Sequence, residues 1–182
     1  LADILPDIGF GFGELGSVTG EPCQGNQRPR LFRVPDEKSI IVNYGLYNQG
    51  CEAISRRLKG KQFRIPIGMS VAKTNDPRLS ISDGIDDYVK AYRHLHSIGA
   101  YTTINVSCPN TSDGITYQDP KKLALLLKVI DKEQHTKPIF LKIKSDFSKE
   151  ELAEIVDIAS KYAWVTGFIL SNLRTNRVGL HT

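Results

Sequence analysis

Ala100-Tyr101-Thr102-Thr103-Ile104-Asn105-Val106-Ser107-Cys108-Pro109-Asn110-Thr111 is the stretch on which the fold turns. Its opening residues are a β-branched and aromatic run that reads as a buried strand. The abrupt change to Asn, Ser, Cys and Pro reads as a strand end and loop facing a site. Asn105 and Asn110 each offer donors and acceptors, which suits a flat ligand bearing several carbonyls. Cys108 offers a thiol, a proton acceptor or nucleophile once its pKa is lowered. An ordinary strand end with turn residues uses the same residue types, so the flanking sequence has to decide.

Outward from that strand, strand-like and helix-like runs alternate. Phe10 to Thr19, Ile65 to Ala72, Tyr101 to Ser107, Pro138 to Lys144 and Gly167 to Asn172 read as strands. Asn48 to Leu58, Gly84 to Ile98, Asp119 to Gln134 and Lys149 to Tyr162 read as helices between them. Repeated strand-helix units predict an α/β fold with a parallel sheet and right-handed crossovers. Ser148 and Glu151 have capping-box spacing, with Leu152, Ile155, Val156 and Ala159 along one helical face. Asp83 or Ser82 is expected to cap the helix holding Tyr88. Ser17, Ser70, Lys73, Asn105, Cys108, Lys142, Ser171 and Asn172 all fall at strand C-termini or just beyond, where parallel α/β sheets build their sites. Gly20 to Asn43 is longer than the usual βα connection. It reads as a lid over substrate, or, for Gln24 to Arg33, as a surface arm.

Composition leaves a globular domain spanning 1–182 and removes other classes. Hydrophobic residues at 40% and charged residues at 24% exclude disordered and collagen-like chains. The charge is +4, with bases and acids interleaved rather than blocked, which argues against a nucleic-acid partner. Cys23, Cys51 and Cys108 lack metal-ligand spacing and cannot all pair, as expected in a reducing compartment. No apolar run is long enough to span a bilayer.

The segment from Asn105 to Thr111 resembles the active-site loop of the dihydroorotate dehydrogenases, flavin enzymes built on a (β/α)8 TIM barrel, where it follows the fourth strand. The likeness continues in order along the chain. Gly9-Phe10-Gly11-Phe12-Gly13-Glu14-Leu15-Gly16-Ser17-Val18-Thr19 resembles the second strand, and Gly25-Asn26-Gln27-Arg28-Pro29-Arg30-Leu31-Phe32-Arg33 the segment after it. Asp86-Asp87-Tyr88 resembles the start of the helix before the loop, Leu141-Lys142-Ile143 the fifth strand, and Ser171-Asn172 the end of the sixth. The resemblance therefore implies a partial barrel, strands two to six. The Pro-Arg-Leu-Phe-Arg run resembles the quinone-dependent, membrane-associated class. It implies FMN as cofactor, dihydroorotate and orotate as ligands, and quinone as acceptor in pyrimidine biosynthesis. It further implies a cytoplasmic location, or a peripheral one at the membrane's cytoplasmic side through a segment outside this sequence.

By the same resemblance Cys108 is the catalytic base, at a position where the quinone-dependent class carries Ser and the soluble classes Cys. Asn105, Asn110, Asn172 and Asn43 are the implied substrate ligands. Ser17, Ser70, Asn105, Lys142 and Ser171 are the implied flavin contacts. A lysine inside the apolar strand Ile139-Phe140-Leu141-Lys142-Ile143 needs an anion or an electron-rich ring. Lys144 shares its face by alternation, so spacing leaves both open. Ser17 and Ser171 stand where the family usually has Thr, and Ser70 where it has Asn. Val42 or Asn43 takes the place of a substrate-binding Asn, and Leu173 that of a hydroxyl residue. These departures keep open a related FMN-barrel oxidoreductase acting on another dihydropyrimidine. A non-catalytic barrel subunit is the alternative from a different class.

Overall fold

The computed structural model describes residues 2–108 and 116–173. In chain order the elements are β1 (Gly13–Val18), β2 (Leu31–Val34), β3 (Ser39–Val42), α1 (Cys51–Leu58), β4 (Ile67–Val71) and α2 (Ile81–Leu95). They continue with β5 (Tyr101–Asn105), α3 (Pro120–Ile130), β6 (Ile139–Ile143), α4 (Lys149–Ala159) and β7 (Val165–Leu170). Five strands form one parallel sheet in the order β1-β4-β5-β6-β7, each joined to the next by a helix. This is the α/β alternation that the hydrophobic periodicity predicts.

The side-chain period of two divides the sheet into an apolar and a polar face. Met69, Val71, Ile104, Leu141 and Ile143 are sealed on the helix side, each at 1% exposure or less. Against them α3 sets Leu123, Leu126, Leu127 and Ile130, a stripe at i, i+3, i+4 and i+7 that is fully buried. The other face carries Glu14, Ser70, Thr103, Asn105 and Lys142. Its lower layer is aromatic: the Tyr101 ring meets Phe140 edge-on at 5.5 Å and its hydroxyl donates to the Gly13 carbonyl at 3.1 Å. Gly68 makes room for that ring, since a Cβ there would lie 2.0 Å from it.

The structure corrects local expectations. Ser80, not Ser82 or Asp83, caps α2: its side chain accepts from the Asp83 amide while the Asp83 carboxylate accepts from the Ser80 amide. Ser82 instead hydrogen-bonds Ser80. On α4 the capping box of Ser148 and Glu151 forms, but only Ile155 and Ala159 of the expected face are buried. Within the segment read as loop, Leu31–Val34 and Ser39–Val42 pair as an antiparallel hairpin around Pro35–Glu37. The β-branched run Ile40-Ile41-Val42 after Pro-Asp-Glu-Lys, with Leu31, Phe32 and Val34 before it, was the available signal.

Candidate active site

The polar face is concave. β1 and β6 are separated by β4 and β5, about 14 Å apart in a flat sheet, yet the Lys142 Nζ lies 3.6 Å from Glu14 Oε1. The fully buried Thr103 hydroxyl donates to Glu14 Oε2 at 2.6 Å. Lys142 is thus the lysine in the trough, whereas Lys144 Nζ sits 4.4 Å from the Phe147 ring.

Beside Lys142 and Thr103, which are in register with Asn105 and Ser70, lies a hydrogen-bonded chain. The Ser17 and Ser70 hydroxyls are 2.8 Å apart, and Asn105 Nδ2 donates to Ser17 Oγ at 2.8 Å. Asn105 Oδ1 accepts from the Ser107 amide at 3.2 Å and from the Ser107 hydroxyl at 3.1 Å. Asn172 Nδ2 reaches Ser107 Oγ at 2.9 Å and Asn105 Oδ1 at 3.3 Å. Four strand ends contribute, so the site exists only once the sheet curls. Ser17 belongs to it because the β1–β4 register shifts between Leu15 and Val18, which lets Glu14 and Ser17, three apart, face the same side. Gly16 permits that shift: its φ is +132°, and a Cβ would meet the Ser70 carbonyl at 2.5 Å.

Beside this chain, Cys108 lines a small cavity with Leu46, Lys73, Tyr88 and Tyr117. Lys73 is 3% exposed, and its Nζ donates to the Thr74 carbonyl at 3.0 Å. Tyr88, its phenol pKa pushed up by burial, donates to the Asn105 carbonyl at 2.8 Å. The Tyr88 and Tyr117 rings pack edge-to-face at 5.2 Å. The neighbouring Asp87 carboxylate accepts from the Thr74 amide at 2.6 Å and the Gly20 amide at 3.3 Å, and burial raises its pKa. From α2, Asp87 and Tyr88 thereby brace the loops after β1 and β4 and the end of β5.

A family model described as dihydroorotate dehydrogenase matches residues 2–182. The chain belongs to the dihydroorotate dehydrogenase family. It is 38% identical over 175 residues to a "dihydroorotate dehydrogenase (quinone)" of Thermosynechococcus vestitus, covering 95% of this chain and 47% of that protein. A protein of the same description from a Nostoc species is 39% identical over 184 residues, covering 100% and 48%. One from Mycolicibacterium smegmatis is 35% identical over 175 residues, covering 96% and 48%. The chain spans about half the length of these curated relatives. The crystal structure of Eimeria tenella DHODH in complex with ferulenol superposes with a TM-score of 0.79 at 24% identity, over 93% of this chain and 52% of that one. The shared fold is the (β/α)8 barrel, of which the described strands form part.

Of the dihydroorotate dehydrogenase site residues expected from sequence, Ser17, Ser70, Asn105 and Asn172 come together in one network, with Lys142 in register with Asn105 on the next strand and Cys108 at its flank. Asn43 is not joined to them. It is exposed after β3, where its Oδ1 accepts from Asn26 Nδ2 at 2.6 Å. Ser171, exposed beside Asn172, takes no part in the network. Asn110 lies outside the described residues. Glu14, Thr103 and Ser107 escaped the sequence reading. An acid inside Gly13-Glu14-Leu15-Gly16-Ser17-Val18 was a usable signal, but nothing sets Thr103 apart from Thr102 until the strand's facing is known.

Proposed function

We propose that the full-length protein is an FMN-dependent dihydroorotate dehydrogenase that oxidises (S)-dihydroorotate to orotate in pyrimidine biosynthesis and passes the electrons to quinone. The observation that carries this reading is the convergence of Ser17, Ser70, Asn105, Asn172 and Lys142 on one concave face, in a chain of this family. Hydroxyl and amide donors with the Lys142 cation fit a flavin ring, whose edge alternates N–H and C=O and gains negative charge on reduction. Bound FMN would supply the acceptor for the hydride that leaves substrate C6.

The remaining chemistry falls to side chains. Ser17, Ser70, Asn105 and Lys142 are assigned to the flavin, with Ser171 beside them, and Lys142 to its developing negative charge. Asn105, Asn110 and Asn172 are assigned to the substrate's ring amides and carboxylate. Cys108 takes the proton from C5; a thiol starts nearer working pH than a serine hydroxyl and needs less activation. Asn43 is assigned here only if the hairpin closes over bound substrate. The quinone assignment is supported by the Pro29-Arg30-Leu31-Phe32-Arg33 run and by the names of the relatives. No helix among the described residues is long and apolar enough to cross a membrane. Quinone is held in the membrane, and peripheral contact at its cytoplasmic side is part of this proposal.

The test is the colour of the purified full-length protein. A yellow protein bleached anaerobically by dihydroorotate and recoloured by quinone is expected. A yellow protein indifferent to dihydroorotate favours another dihydropyrimidine, which the changes at Val42, Ser70 and Leu173 would explain. A protein that neither carries nor takes up FMN overturns the proposal in favour of a non-catalytic subunit.

A further inference from the structure

We propose that Glu14 is a positioning residue for Lys142 and, through it, sets the reduction potential of the bound flavin; this rests on the flavoenzyme reading above. A carboxylate in the middle of β1, its side chain 22% exposed, is an expensive feature to keep inside a sheet unless something holds it. Two groups do. The fully buried Thr103 hydroxyl donates at 2.6 Å and fixes the carboxylate from β5. The Lys142 ammonium stands 3.6 Å away on β6. Because Thr103 is itself packed in the sheet, the position of the Glu14 carboxylate is set by the strands and not by the lysine.

Lysine carries a compact charge on a flexible four-carbon stem, so its location needs a tether. At 3.6 Å the carboxylate supplies one without consuming all three ammonium protons, which leaves donors free to turn toward the neighbouring network of Ser17, Ser70 and Asn105. The same carboxylate cancels part of the positive field that Lys142 casts there. It also holds the ammonium back against β1, so Glu14 keeps the potential lower than an untethered lysine, free to swing toward the flavin, would set it.

The experiment measures the flavin midpoint potential of the full-length protein by anaerobic titration against a reference dye. Glu14→Gln should shift the potential in the positive direction while flavin stays bound. In a Lys142→Met background the same change should shift it less, because only the carboxylate's own field is then lost and no ammonium is released toward the flavin. Where Glu14→Gln yields no folded protein, Glu14→Asp keeps the charge but retracts it by one methylene, and should give a smaller shift of the same sign. An unmoved potential, or an equal shift in both backgrounds, overturns the inference and leaves the flavoenzyme reading intact. A full-length protein that binds no flavin overturns both.

Discussion

Lys142 and Glu14 lie on strands separated by two others, yet their charged groups stand 3.6 Å apart. That relationship locates the interior of the trough, because only the concave face of a curled sheet brings β1 and β6 side chains together. It also selects Lys142 over Lys144. The latter lies past the end of β6, where its ammonium faces the Phe147 ring.

Replacing Lys142 with Met keeps the length of the side chain and removes its charge. In the full-length flavoprotein this should lower the midpoint potential and slow flavin reduction, since a cation beside developing negative charge favours the reduced state. Anaerobic titration reads the potential directly. An unchanged value would withdraw Lys142 from the flavin.

Cys108→Ala should abolish steady-state dihydroorotate oxidation with FMN still bound, because proton removal and cofactor binding use different groups. Cys108→Ser should be slower, with activity displaced to higher pH. Stopped-flow flavin reduction across pH checks both, and wild-type rates in Cys108→Ala would remove this residue from catalysis.

Leu127 is fully buried on α3 against the sheet. Leu127→Ala should cost about 2–5 kcal/mol through lost transfer energy and a residual cavity. Leu125, half exposed on the same helix, gives the control: Leu125→Ala should cost under about 1 kcal/mol. Urea unfolding of the full-length protein measures both.

His96 stacks on Tyr92 at 5.2 Å, and its Nδ1 is buried with no hydrogen-bond partner among the described residues. Burial, then the nearby Lys137 charge, pushes its pKa below the ordinary 6.5, with Glu133 opposing and His135 adding to the shift. The unfolded chain therefore takes up a proton first as the pH falls below the ordinary value. The stability contributed by neutral His96 is complete above that window and is lost on acidification through it. Melting temperatures between about pH 7.5 and 5.5 should fall less for His96→Phe than for wild type. Equal slopes would show that folding does not shift the His96 pKa.

Much of the site was written in the strand ends. Asn105 and Cys108 follow a β-branched run, and Lys142 interrupts an apolar one, so type and position in the strand made them candidates, while their roles came from the resemblance and the choice of Lys142 over Lys144 from the structure. The strand-helix alternation came from periodicity, and the capping box at Ser148 from spacing. The hairpin at β2 and β3 was harder to read because its exposed Leu31, Phe32 and Ile40 give no clean inside and outside. The cap at Ser80 was missed for a similar reason, since Ser80, Ser82 and Asp83 compete within four residues and only backbone geometry separates them.

Local periodicity and residue chemistry determined the α/β class, the parallel sheet and the candidates at its C-terminal ends, because those signals are carried by residues adjacent along the chain. The tertiary structure alone decided that Glu14 and Thr103 share the trough with Lys142, and that Ser17 turns inward past Gly16. It also decided that Ser107 bridges Asn105 to Asn172 and that Asn43 stays on the hairpin. Those contacts join strands far apart in sequence, and they depend on sheet curvature and on one register shift that side-chain alternation does not encode.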